Sequence, residues 1–454
     1  MVEDSKKISL TGGVCFTVGL VIGPSIFVII PTLAGMTGPS LYLAYLAAAV
    51  PALFTCLYLI QLSGALPVTG ANYVVITRAL SPMAGFATSI CLLLALISTN
   101  ALVCWGLAQY VGVYFPGLSK IGLAVAALLL FTVINYLGLE IYEWIQILMV
   151  FLLLAVMLVF GAGGSWSAQA ALQTPLFPKG TGGFLMVVGV AAFSFAGFPA
   201  ISEIGGDIRN PKRNIPLALI IALIIITAIY VLQTYAFTGN LAWSEAARIG
   251  ATAVLAAAGK FLPEWAVTLV AVAAILAMTT TLNSILLMST REITAWSRDN
   301  VVPPVFGRIH PRFKTPHVAL VSISILTLVG VLFAAELDKY ALIVVFSLMV
   351  IQGLAATATW LLPRRMPEIQ EKALIKFTPF WRGFTWIGCL ICFSLVFAFG
   401  LLADLKTGIV FAAAWGLGLV YWYIRASMLS RRGLSIEAGM HALSEAMLAE
   451  MEEK

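Results

Sequence analysis

Apolar stretches of about 20 residues, the length that crosses roughly 30 Å of hydrocarbon as a helix, recur along the whole of this 454-residue chain. Lipid offers no partner to a backbone N–H or C=O, so such a chain must fold as helices that satisfy their own polar groups. Twelve stretches are expected, at about 10–34, 40–65, 83–114, 121–138, 141–162, 183–204, 214–239, 264–294, 316–335, 339–362, 383–403 and 407–425. The composition agrees: 61% of residues are hydrophobic and only 10% charged, where a soluble domain carries about a quarter. The first stretch is longer than the apolar core of a cleaved leader and is followed by no small-residue cleavage site. The expected fold class is an all-α integral membrane protein, one domain with short loops.

Lys and Arg fall unevenly about these stretches. With the N-terminus in the cytoplasm, the inner side holds 20 of the 26 basic residues, and the outer side holds Lys120, Lys179, Arg248, Lys260, Lys339 and Lys406. That is a positive-inside bias, which places both termini in the cytoplasm of a cell membrane and reads the net charge of +6 as topological. No nucleic-acid partner is expected. The six cysteines, Cys15, Cys56, Cys91, Cys104, Cys389 and Cys392, all lie within the stretches. They read as small buried hydrophobes rather than metal ligands.

Two stretches carry their own breakers. "GLVIGPSIF" at 19–27 sets Gly23 beside Pro24, and "FSFAGFPAISE" at 193–203 sets Gly197 and Pro199 in mid-segment. One isolated Gly-Pro also reads as a kink. A helix interrupted at membrane depth, however, frees backbone groups that cost several kcal/mol each unless they line a cavity or meet a ligand. A second interruption at the matching place of a second half is the sequence pointer to a transporter built of inverted repeats. On that pattern, residues 10–162 and 183–362 form two five-helix repeats and 383–425 two added helices. Residues 1–9 and 426–454 are then the cytoplasmic ends.

Four stretches in order resemble the amino acid-polyamine-organocation transporters. "GLVIGPSIF" is similar to that family's first-helix break, G-x-x-I-G-S-G-I-F, and "LPVTGANYVVITRALSPMAGF" at 66–86 to its loop after the second helix. "FSFAGFPAISEIGGDIRNPKRNIP" at 193–216 is similar to its sixth-helix break, and "STREITAWSRDNVVPPVFGRIHPRFKTP" at 289–316 to the end of its eighth helix. The resemblance runs from about 8 to 425 and implies a LeuT-type fold: twelve transmembrane helices, a five-plus-five inverted repeat, and helices 1 and 6 broken.

No Asp, Glu, Lys or Arg stands near the middle of spans 1, 3, 6, 8 or 10. Backbone dipoles and neutral side chains are therefore expected to hold the ligand. Free N–H groups at a half-helix N-terminus suit a carboxylate, and free carbonyls at a C-terminus suit an ammonium. A small neutral, zwitterionic amino acid presents both, whereas a polyamine would want carboxylates.

Carried over by position, the resemblance implies a substrate carboxylate at the backbone of Pro24, Ser25 and Ile26. It puts the amino group at the carbonyls of Val21, Phe193 and Ala196. Ile22, Gly23, Gly197 and Phe198 complete the breaks, and Phe193 closes over the substrate. Pro24 stands where the family has Ser, and Ser25 where it has Gly; proline has no N–H, so one donor is lost. Either the Ser25 hydroxyl replaces it or the ligand is not a standard α-amino acid. Asn100 falls where a relative contacts substrate with an amide, and equally suits a bond between helices.

For coupling, Leu153 stands about where some relatives carry a lysine in place of sodium. Ala277, Thr280 and Thr281 share one face of the eighth span. In sodium-coupled members of the wider fold such a triplet binds the ion together with carbonyls matching Gly19 and Ile22. Threonines in apolar helices also bond back to the preceding turn. Sodium symport, proton symport and exchange all stay open, and no other cofactor or metal is expected.

The charged residues Asp207, Arg209, Lys212, Arg213, Arg291, Arg298 and Asp299 read either as an inner gate of ion pairs or as a solvated face. His310, His317 and His441 lie in loops or the tail, away from any proton relay at membrane depth. In the tail, Ile436, Met440, Leu443 and Met447 suggest a short amphipathic helix. The loop from Tyr114 to Ile121 has no cysteine for a disulfide-linked heavy chain. The function expected is secondary transport of a small amino acid. The rivals are an amine or polyamine exchanger of the same fold and a receptor that binds without translocating. No nucleophile-base pair or phosphate loop points to an enzyme.

Overall fold

The computed structural model describes residues 8–23, 25–67, 71–137, 143–205, 208–298, 300–313, 315–333 and 336–431, with Ser435, Ala438 and Glu445. Among them every regular element is helical, and the one extended contact is a lone parallel bridge between Ile8 and Ile208.

Helix α1 (Leu10–Val21) starts where the Ser9 hydroxyl accepts the Gly12 N–H at 3.1 Å, the N-cap role that serine favours. It stops at Gly23. A five-residue π-turn (Ser25–Ile29) then leads into α2 (Ile30–Thr37) and α3 (Leu41–Ala65). A short helix α4 (Ala71–Ala79) precedes α5 (Pro82–Tyr114), α6 (Lys120–Tyr136) and α7 (Glu143–Trp166). Next come α8 (Gly180–Ala191), a 3₁₀ turn (Ala192–Phe195), α9 (Ala200–Glu203) and α10 (Pro211–Asn240). Two short helices, α11 (Trp243–Ile249) and α12 (Ala253–Ala258), lead to α13 (Glu264–Arg298). The chain ends with α14 (His317–Leu332), α15 (Leu337–Arg365), α16 (Pro367–Glu371), α17 (Pro379–Ala403) and α18 (Leu405–Ser430).

Nine helical runs among the described residues are long and apolar enough to cross a membrane. The first, Leu10–Ala65, joins the expected stretches 10–34 and 40–65, while 121–138 and 316–335 emerge as the shorter helices α6 and α14.

Helices α1, α3, α5, α8, α10, α13 and α15 pack around one core, with α17 laid against α15 and α8. The outward faces remain apolar: Ile224, Ile391, Leu395 and Leu417 are each about half exposed or more. A lipid-facing surface requires this. Inside, polar side chains bridge helices: Thr55 Oγ1 donates to Gln352 Oε1 at 2.6 Å and Asn135 Nδ2 to Asn283 Oδ1 at 2.8 Å. Thr132 and Ser324 share a bond of 2.8 Å. Each such bond is worth about 0.6 kcal/mol, up to about 2. All six cysteines are free.

Candidate functional site

The two interrupted segments meet. Gly197, in the turn between Phe195 and Ala200, backs onto the end of α1: a Cβ there would stand 2.8 Å from Val21 Cγ2 and 3.2 Å from Val21 N. Gly23 faces α13, where a Cβ would lie 2.9 Å from Thr281 Oγ1. Glycine at both positions lets backbone approach backbone or hydroxyl at the point where regular hydrogen bonding lapses.

Two buried tyrosines take up carbonyls at the breaks, and the hydroxyl of a third accepts from a serine there. The Tyr230 hydroxyl, on α10, donates to Val21 O at 2.8 Å and Ser194 O at 2.9 Å, tying one break to the other. Tyr110 donates to Phe27 O at 2.9 Å, beneath the π-turn, and Ser194 Oγ donates to the Tyr45 hydroxyl at 3.1 Å. The sequence reading missed all three. A tyrosine inside an apolar run carries no sequence signal for a partner some two hundred residues away.

Beside the breaks lies a cavity of about 140 Å³. Val21, Ser25, Phe193, Ala196 and Gly197, all expected at the ligand, line it together with Thr281. Its walls continue along α5 through Thr99, Leu96, Leu92, Ser89 and Thr88, and along α13 through Ile285, Met288 and Glu292. Glu292 lies three helical turns beyond Thr281, about 16 Å along the axis. The expectation of a site without carboxylates is thereby corrected: Glu292 shares the helix face of Thr281, but eleven residues on it falls near the end of the stretch, beyond the middle where intramembrane charge was sought.

Donor accounting alters the expected role of Ser25. Its hydroxyl lies 3.2 Å from that of Tyr230, whose single proton already serves carbonyls, so Ser25 is the donor. Ser25 Oγ therefore offers the cavity lone pairs rather than a proton to replace the one lost at Pro24. The carbonyls of Val21 and Phe193 already accept, from Tyr230 and from the Ala196 N–H, and each keeps a second lone pair.

The remaining expected residues are placed as follows. Pro24 lies outside the described residues. Ile22, Ile26 and Phe198 are buried and are not among the residues lining this cavity; Ile22 N–H closes α1 on Val18 O, and Phe198 stacks on Phe195. Asn100 is fully buried away from the cavity, with neither amide atom hydrogen-bonded. Gly19, Ala277 and Thr280 bound a separate void of about 10 Å³, closed by Met149, Val150, Leu152 and Leu153. That is room for about one water-sized particle. The Thr280 hydroxyl donates to Leu276 O and Ala277 O, each at 3.0 Å, and Thr281 to Ala277 O at 2.8 Å. The back-bonding alternative is the arrangement present.

Of the charged residues, Asp207, Asp299 and the Arg298 side chain lie outside the described set, as do His441 and Ile436, Met440, Leu443 and Met447 of the tail. Lys212 Nζ donates to Lys372 O at 3.0 Å, and the tail's Glu445 stands 3.8 Å from Arg78. His310 and His317 cluster with Tyr136 and Phe313 at the loop between α13 and α14.

Comparison with known proteins converges on one family. The chain is 27% identical to the branched-chain amino acid permease of Bacillus subtilis, over 82% of its own length and 84% of that protein. It is 25% identical to the methylthioribose transporter of the same organism, over 80% and 82%. With the vacuolar cationic amino acid transporter 8 of Arabidopsis thaliana it shares 26% identity over 80% of this chain and 64% of that one. The amino acid permease family model matches residues 8–422, and the chain belongs to that family.

Proposed function

We propose that the protein is a secondary transporter that carries an amino acid across a cell membrane by alternating access, with both termini in the cytoplasm. The observation that carries this reading is the pair of broken segments packed on each other, Gly197 against Val21, at the edge of the cavity. A static receptor needs a pocket but no interrupted membrane helices, so the breaks favour transport over sensing and over an enzyme. The branched-chain and cationic amino acid transporters among its relatives support amino acids as the substrate class. The twelve helices form a five-plus-five inverted repeat with two helices added, and α1 and the segment at 192–203 are the mobile pair.

The substrate's carboxylate meets the free backbone N–H groups of Ser25 and Ile26 at the start of the π-turn, and its ammonium meets the remaining lone pairs of Val21, Phe193 and Ala196. Phe193 closes the site. Exchange or proton coupling is favoured over sodium symport. The five sodium candidates do not share one space: Gly19, Ala277 and Thr280 bound the small void, Thr281 faces the large cavity and Ile22 lines neither.

Proteoliposomes loaded with an unlabelled amino acid panel test this. Labelled substrate is expected to enter by counterflow equally in sodium and in potassium. Ligand that raises thermal stability, by about 2.7 kcal/mol at 100 times its dissociation constant, without any counterflow would establish a receptor instead.

A further inference from the structure

Helices α15 and α17 meet, at the end where α15 stops and α17 starts, over a pair of tryptophans. Trp360 and Trp386 stack with ring centroids 4.3 Å apart and 11° between their planes, and Trp386 Nε1 donates to Thr357 Oγ1 at 3.2 Å. One turn beyond each ring, toward that same end, stands an arginine: Arg364 on the last turn of α15 and Arg382 on the first turn of α17. The Arg364 guanidinium lies over the Trp360 ring at 5.3 Å. Stacking of this kind engages the face of the guanidinium and leaves its N–H edge for an acceptor. Arg382 Nε is buried with no hydrogen-bond partner among the described residues, and a buried donor left unpaired is costly. Neither arginine makes an ion pair among the described residues.

The helices that carry this pair, 29 and 25 residues long, exceed the 20 or so that cross the hydrocarbon, so their ends reach the headgroup layer. Exposed Phe380 and Trp381, on the same turn as Arg382, mark that depth, where aromatic rings concentrate. From 364 to 382 the chain carries five basic residues against Glu368 and Glu371. Deeper in the membrane the groove between the helices stays open. A Cβ on Gly353, two turns before Trp360 on the same face of α15, would meet nothing within 4 Å. Nearer the far end, Phe411 of α18 closes it against Phe346 and Phe397.

We propose that this corner binds an anionic phospholipid, its phosphate held by Arg364 and Arg382 and an acyl chain laid along the open groove past Gly353. The site goes beyond the transport reading and requires only the membrane. Two arginines form a fork of donors that matches phosphate oxygens, and an anion there gives the orphaned Arg382 Nε an acceptor. The groove is what favours a lipid over a soluble phosphate. In the proposed orientation this end faces the cytoplasmic leaflet, which is the anionic one.

Native mass spectrometry of the detergent-purified full chain tests the site, with phosphatidylglycerol and zwitterionic phosphatidylcholine offered in equal amounts. Phosphatidylglycerol is expected to be retained over phosphatidylcholine by about thirtyfold, falling to about fivefold in Arg364→Gln and to parity when Arg382→Gln is added. Arg308→Gln with Arg312→Gln, on the loop before α14, controls for diffuse charge and is expected to keep the full preference. Parity in the wild type, a preference that the double Arg364/Arg382 substitution leaves intact, or an equal loss in the control overturns the inference. Arg364 is exposed, so Arg364→Gln alone decides the matter should the double variant fail to fold, and an unchanged preference there is equally fatal. A thermal-shift arm separates lipid from soluble phosphate. Phosphatidylglycerol is expected to raise the midpoint, and sn-glycerol 3-phosphate to leave it unchanged. A rise as large with the free phosphate overturns the lipid assignment.

Discussion

At the scale of single residues, Tyr230 has the most consequences. One hydroxyl holds Val21 O and Ser194 O, the two carbonyls by which the breaks are tied together. Tyr230→Phe keeps the ring and its edge contacts with Tyr45 and Phe195 and leaves both carbonyls without that donor. It is expected to cost about 1–3 kcal/mol of stability, read as a lower thermal midpoint in detergent, and to lower counterflow more than expression. Gly197 admits little: a valine there meets Val21 N and Cγ2 inside contact distance. Gly197→Val is expected to separate the two segments and abolish ligand-induced stabilisation, whereas Gly182→Val, with open space around its Cβ, leaves it intact. Both comparisons are thermal-shift measurements on purified protein.

At the scale of elements, chemistry at helix ends decides where a span stops. Asp404 caps α18: it accepts the Lys406 N–H at 3.0 Å and the Thr407 hydroxyl at 2.6 Å. Chiefly through the Thr407 hydroxyl, its carboxyl is held below the ordinary aspartate range. Because the folded state favours the ionised form, the cap contributes fully above the unfolded-state value and is lost as pH falls through the lower folded value. Asp404→Asn is therefore expected to be less stable than wild type near pH 7, and the gap is expected to close toward about pH 3. A gap that widens in acid would contradict the assignment. At the breaks the same principle runs the other way. At the end of α1, Tyr230, Ser25 and Thr281 gather at the backbone in place of the next helical turn.

At the scale of the whole molecule, the cavity extends from the breaks toward the first turns of α5 and the last turns of α13. That is the end of the bundle where α1 begins. In the proposed orientation this end faces the cytoplasm. Cysteines at Ser89 and Met288 are thus expected to react with a membrane-impermeant reagent applied from the cytoplasmic side of oriented vesicles. Reaction from the outside alone would reverse the orientation.

Much of this was legible in the residues. Apolar run length dictated membrane helices, since lipid leaves the backbone no alternative, and Gly23, Pro24, Gly197 and Pro199 marked where two of them break. The breaks themselves are local events written in local sequence, and Val21, Ser25, Phe193 and Ala196 beside them could be named because the family resemblance carries those positions over. What only the tertiary structure decided is which groups answer those breaks and which distant residues share the cavity. Tyr230 reaches Val21 across 209 positions, and Glu292 joins Ser25 in one cavity through the packing of α13 beside α5 and α1. A hydroxyl's proton, likewise, is assigned by its neighbours: the Ser25 side chain reads in sequence as a donor for a carboxylate, and in the fold its proton goes to Tyr230. Long-range hydrogen bonding is a property of packing distance, and no spacing along the chain encodes it.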